Sequence, residues 1–159
     1  MDDFEKLYNK SVRFLSFRPR SEKELRDHLK LKSKRSKITP DEDLINSVIV
    51  KLKTQRFLND EEFAKFWIRQ RTEIKPKSFR IIKAELRQKG ISDEIMEEID
   101  AENVQTDLES ALKILDKKKH SYKNLSKEEA YTKMSRYLSS KGFGWETIKE
   151  AISDFGKQD

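Results

Sequence analysis

The chain contains no cysteine, two histidines, four glycines and three prolines in 159 residues. It has no apolar run approaching the roughly 18 residues that a membrane-crossing helix needs. Without cysteine there is no disulfide framework, no thiolate metal site and no thiol nucleophile. So little glycine and proline argues against a chain of short strands joined by tight turns. The two histidines, His28 and His120, are too far apart in sequence to suggest a convergent acid–base pair. No glycine-rich phosphate loop, zinc-ligand spacing or serine-centred elbow occurs. The expectation is a protein that is not an enzyme and carries no catalytic residue, metal or cofactor.

Charge is what the chain has in abundance. Charged residues make up 40% against 35% hydrophobic, and mean hydropathy is −0.91, so a thin core under a heavily solvated exterior is expected. Lysine and arginine total 35 against 29 acidic residues, a balance of +6 that favours acidic partners. Met1 leads into Asp2, Asp3, Glu5 and Lys6 rather than a leader peptide, which predicts a cytoplasmic chain with no membrane association.

Apolar residues recur at helical spacing almost throughout, in stripes such as Phe4, Leu7, Tyr8, Val12, Leu15 and Leu44, Ile45, Val48, Ile49, Leu52. Phe63, Phe66, Trp67 and Ile74 fall within one arc at 100° per residue, and Trp145 opens a stripe with Ile148, Ile152 and Phe155. Both tryptophans are expected as packing anchors. Ser21 with Glu24, Thr39 with Glu42, Asn59 with Glu62 and Ser126 with Glu129 have capping-box spacing. Pro40 suits a first helical position after Thr39, and Gly90 and Gly142 suit left-handed helix ends.

The pattern repeats. A first helix, a second opened by basic or serine-rich residues, and a shorter third recur three times, and Lys89-Gly90-Ile91 matches Lys141-Gly142-Phe143. An all-α protein of three tandem three-helix repeats follows: 1–58 with a basic loop at 30–37, then 59–103, then 104–159. Each repeat is short of core alone, so stacking is the reason to have several, and an elongated, curved array is expected.

Two basic constellations are candidates for binding an anionic partner. On the helix after Pro76, Arg80, Lys83 and Arg87 fall inside roughly a 60° arc, with Lys75, Lys77 and Lys89 extending the ridge. The alternative is a solvated face with local pairs such as Glu85 with Lys89. Arg13, Arg18 and Arg20 surround Phe14, Phe17 and Pro19, a mixture that suits stacking on bases or partner side chains; the alternative places both phenylalanines in the core.

Four stretches carry a family resemblance: Arg20-Ser21-Glu22-Lys23-Glu24-Leu25, Phe57-Leu58-Asn59-Asp60-Glu61-Glu62-Phe63-Ala64, Glu85-Leu86-Arg87-Gln88-Lys89-Gly90-Ile91 and Lys141-Gly142-Phe143. Over about residues 4–155 the chain resembles the bacterial RecX regulatory proteins, which restrain the RecA recombinase. The resemblance implies a non-enzymatic protein that lies in the groove of the RecA filament on single-stranded DNA and inhibits its recombinase, ATPase and coprotease activities; a monomer is expected. It also implies that Arg20, Arg80, Arg87 and Lys89 face the partner while Leu25, Phe63, Leu86 and Ile91 form framework. The remaining basic candidates rest on charge geometry alone. Direct DNA binding without RecA is the alternative function. The chain departs from the family at Arg56, where a glycine is common, and at Lys75-Pro76-Lys77-Ser78, which lacks the family's loop glycine.

Overall fold

The computed structural model describes residues 1–31, 39–101 and 105–158, and every regular element among them is helical. Most of the basic loop at 30–37 lies outside the described residues. The helices are α1 (Asp3–Phe17), α2 (Glu22–Lys30), α3 (Glu42–Thr54), α4 (Asp60–Arg69), α5 (Phe79–Gln88), α6 (Asp93–Ala101), α7 (Asp107–Lys117), α8 (Lys127–Ser140) and α9 (Trp145–Gly156). A π turn over Gln70–Ile74 continues α4, and a 3₁₀ turn spans Lys119–Tyr122. None of these helices is long and apolar enough to cross a membrane.

Side-chain oxygens close most helix starts. Ser21 and Glu24 form a reciprocal capping box on α2, Asp2 and Glu5 form another on α1, and Asn59 and Ser126 accept from the backbone N–H groups of Glu62 and Glu129. The start of α3 differs from the sequence expectation. Asp41, not Thr39, caps it by accepting from Leu44 N–H at 2.8 Å, which leaves Pro40 outside the helix. A carboxylate beside the positive helix end outcompetes a hydroxyl two residues earlier. Ile74 also departs, at 57% exposed, because the π turn breaks the 100° phase that would have placed it with Phe63. Trp145 is 61% exposed; as the first residue of α9 it lies beyond the buried run of Ile148 and Ala151 and forms a T-shaped ring contact with Tyr131.

The chain packs as two compact units, one of Met1–Phe66 with Leu86–Glu97 and one of Trp67–Glu85 with Glu98–Asp159. In the first, Leu7, Leu25, Leu29, Ile45, Val48, Ile49, Leu52 and Leu58 form the core. In the second, Ala111, Ile114, Leu115, Met134, Leu138, Phe143, Ile148 and Ala151 are buried together with Tyr122 and Ala130. At about 1.5–3 kcal/mol for each large side chain removed from water, these clusters supply the main stabilising term. The middle three-helix segment contributes residues to both units.

Each unit contains the same kind of joint between consecutive three-helix segments. In the first unit, Asp60, which opens α4, accepts from Glu22 N–H at the start of α2 at 2.8 Å, and the Gly90 turn lies against Lys23 so closely that a Cβ at Gly90 would be 2.7 Å from the Lys23 Cβ. In the second, Asp107, which opens α7, accepts from Phe79 N–H at the start of α5 at 2.8 Å, and a Cβ at Gly142 would come within 2.1 Å of Ile81 Cδ1. Lys141 and Gly142 also offer their carbonyls to Ser78 N–H at 3.0 Å and to the Arg80 guanidinium at 3.2 Å. In both units an aspartate of the following segment thus satisfies an otherwise orphaned donor at a helix start, and in the second the Lys141 carbonyl satisfies another.

Three helices end in one hydrogen-bond pattern. After α5 and α8 the left-handed residue is Gly90 (φ 79°) or Gly142 (φ 88°), with Ile91 N–H returning to the Leu86 carbonyl and Phe143 N–H to that of Leu138. After α3 the same position is Arg56 at φ 61°, with Phe57 N–H returning to the Leu52 carbonyl at 2.9 Å. A side chain there costs about 1 kcal/mol that glycine would not. Arg56→Gly is therefore expected to raise stability by roughly 0.5–1 kcal/mol, measured by urea denaturation. An unchanged or lower midpoint would contradict this account of the turn.

Candidate functional site

The basic candidates fall into two groups, one in each unit. In the first unit, Glu24 gathers Arg18 and Lys89. Its carboxylate accepts from Arg18 Nη2 at 2.8 Å, from Lys89 Nζ at 2.9 Å and from Ser21 N–H at 3.0 Å, and its side chain is 12% exposed. Burial alone would raise the Glu24 pKa; the hydrogen bonds from Arg18, Lys89 and Ser21 outweigh it and hold the pKa below the ordinary value. Arg20 stacks its guanidinium on Phe14 at 4.0 Å, and Phe14 lies face to face with His28 at 3.9 Å. Burial, then Lys10 and Arg20, lowers the His28 pKa, as suits a ring at the margin of a core.

Beside this cluster is a groove of about 540 Å³ bordered by Arg18, Pro19, Arg20, Arg56 and the rings of Phe17 and Phe57. Phe17 is 77% exposed and Phe57 57% exposed, so Phe14 is tucked in and Phe17 is not. Arg13 is exposed on α1 and, like Arg56, makes no ion pair among the described residues. Sequence reasoning missed Arg56 and Phe57. The missing family glycine at position 56 was the available signal, because it marks a turn that presents both side chains outward.

In the second unit, Lys77 is matched by Glu85 at 2.7 Å, and the same carboxylate accepts from Trp67 Nε1 at 2.8 Å and Arg71 Nε at 3.0 Å. Glu85 is thus committed to Lys77, Trp67 and Arg71. Burial would raise its pKa, but the bonds from Lys77, Trp67 and Arg71 outweigh it and lower the pKa. Lys75 is exposed and Arg80 reaches only the Gly142 carbonyl, both without an ion pair among the described residues. Lys83 lies over the Phe79 ring at 4.9 Å. Arg87, in the first unit, is exposed and approaches Asp93 at 3.9 Å, a weak surface pair. The candidates thus differ in availability: Lys77, Arg18 and Lys89 have buried or half-buried carboxylate partners, whereas Arg13, Lys75, Arg80 and Arg87 present most of their charge to solvent.

Glu24 and Glu85 predict an acid limit on stability. Both fold with pKa values below the ordinary 4.5, so the unfolded chain binds more protons in acid. Their stabilisation is complete above about pH 4.5 and is lost as pH falls through the lower folded values. Glu85→Gln is expected to flatten the fall in urea midpoint below pH 4.5; an equally steep fall in wild type and variant would contradict it.

Ordered three-helix segments, joined through aspartate and lysine–glycine turns and carrying exposed arginines, define a tandem three-helix-repeat protein. Models of the first, second and third three-helix domains of RecX match residues 8–33, 59–99 and 105–152. The regulatory protein RecX of Bacillus velezensis is 39% identical over 152 residues, covering 95% of this chain and 56% of the relative; that of Bacillus subtilis is 32% identical over 152 residues, covering 95% and 55%. The crystal structure of RecX from Lactobacillus salivarius superposes with a TM-score of 0.75 at 31% identity, covering 98% of this chain and 97% of that one. A second crystal structure, of regulatory protein RecX, gives 0.72 at 28% identity, covering 96% and 74%. The chain belongs to the RecX family. It spans about half the length of the two Bacillus relatives.

Proposed function

We propose that this chain regulates the RecA recombinase by binding the RecA filament on single-stranded DNA along its groove, inhibiting recombinase, ATPase and coprotease activities without chemistry of its own. The single observation that carries the proposal is the match of all three RecX domains, in order, to this chain. A net charge of +6 supports electrostatic steering toward an assembly rich in phosphate and acidic patches. The proposal takes the segments 1–58, 59–103 and 104–159 as its working units, a cytoplasmic monomer as the acting species, and Arg13, Arg18, Arg20, Lys75, Lys77, Arg80, Lys83, Arg87 and Lys89 as the binding set. Adding the chain to RecA on single-stranded DNA is expected to suppress ATP hydrolysis, and unchanged turnover at saturating binding would reject inhibition.

Within that set, charge reversal at Arg80, Lys83 and Arg87 together is expected to weaken filament binding by about tenfold or more while leaving helicity nearly intact. Unaltered binding by the triple variant, read in a pull-down on immobilised filaments, would return the ridge to an ordinary solvated face. The alternative, a DNA-binding module acting without RecA, is favoured by one observation: Phe17 and Phe57 stand exposed among Arg18, Arg20 and Arg56. Tight DNA binding by the chain alone, falling steeply with salt and lost in Phe17→Ala/Phe57→Ala, would select that alternative.

A further inference from the structure

We propose that the groove between the Lys119–Tyr122 turn and the outer face of α8 is a docking site for an acidic, amphipathic protein segment, separate from the basic positions assigned to filament binding. The groove has a volume of about 700 Å³. Its floor is apolar, built from Tyr122, Leu125 and Tyr137, and its rim is cationic, built from Lys118, Lys133 and Arg136.

Three observations define the occupant. Lys118 Nζ lies 3.8 Å from the centre of the Tyr137 ring and Lys141 Nζ 5.4 Å from it, while Lys133 Nζ lies 5.8 Å from that of Tyr122. Cations over both rings hold their charge at the groove edge and occupy the positions where a nucleobase would stack, so the arrangement favours carboxylates over bases. Next, Lys118, Lys133, Arg136 and Lys141 make no ion pair among the described residues; Lys133 reaches only the Ser121 carbonyl, at 3.5 Å. Over residues 116–141, eight lysines and arginines stand against three acidic residues, so this short stretch carries most of the chain's excess positive charge.

The third observation is polarity. Glu128 and Glu129 also line the groove, in the first turn of α8, where carboxylates suit the helix dipole. Arg136 lies two turns further along, about 12 Å at 1.5 Å per residue. The groove therefore has an acidic end and a basic end. A docked segment places its carboxylates against Lys118, Lys133 and Arg136 and its apolar anchor on Tyr122, Leu125 and Tyr137, directed away from Glu128.

The test is fluorescence anisotropy with the full chain and no RecA or DNA, so its outcome is independent of the filament proposal. The probe is a labelled synthetic helix of about 15 residues with leucines at i, i+3, i+4 and i+7 and glutamates elsewhere. Saturable binding is expected. Charge reversal at Lys118, Lys133 and Arg136 should weaken it about tenfold or more, and Thr132→Trp, which fills the groove without altering charge, should weaken it comparably. Both variants should retain the wild-type circular dichroism spectrum. Equal binding of the same helix with lysine replacing glutamate, displacement of the probe by oligothymidine, or unweakened binding by the correctly folded Thr132→Trp variant would each overturn the proposal.

Discussion

Alanine at Gly142 is expected to cost about 3 kcal/mol. About 1–2 kcal/mol comes from placing a Cβ at φ 88°, and the rest from displacing Ile81 and Ser78, whose side-chain atoms lie 2.1 and 2.6 Å from where that Cβ must stand. Gly90→Ala should cost a similar amount, because the atom in the way is the Lys23 Cβ, which cannot swing aside without its backbone. Gly156 provides the control. Among the described residues nothing lies within 4 Å of its missing Cβ, and it sits at the end of α9 without a positive φ, so Gly156→Ala should be neutral or stabilising by several tenths of a kcal/mol. Urea midpoints of the three variants check the set, and equal effects at all three positions would contradict the joint described in each unit.

Glu24→Gln is expected to destabilise the first unit by about 2 kcal/mol. The amide keeps the shape but loses the charge that matches Arg18 and Lys89, leaving two cations facing a neutral group. Each cation is about one-third exposed and can turn to water, which limits the loss. Pairing the change with Lys89→Met should recover part of it, because one unmatched cation is removed. Stability of Glu24→Gln equal to wild type would show that the cluster is a screened surface network. Arg18 and Lys89 would then have the same availability as Arg80.

The helices and their glycine ends were legible in the sequence because both rest on local rules: apolar residues at helical period, Ser21 three residues before Glu24, and Lys-Gly turns at 89–90 and 141–142. The failures have local causes too. Ile74 left the apolar arc when the helix widened into a π turn, and Thr39 lost its capping role to Asp41. The candidate site was less legible because its state depends on partners distant in sequence. Glu24 is 65 residues from Lys89, and Glu85 accepts from Trp67, Arg71 and Lys77, which lie 18, 14 and 8 residues away in sequence. A basic residue counted from sequence says nothing of whether its charge is already matched. The groove on α8 was missed for the same reason: Lys118 lies over Tyr137, nineteen residues away in sequence.

Co-sedimentation with single-stranded DNA, with and without RecA, tests the functional assignment most directly. The account predicts that the chain pellets with RecA-coated DNA, that far less pellets with naked DNA at physiological salt, and that reversal of Arg80, Lys83 and Arg87 releases it. Equal recovery on naked and RecA-coated DNA, or none on either, would contradict it.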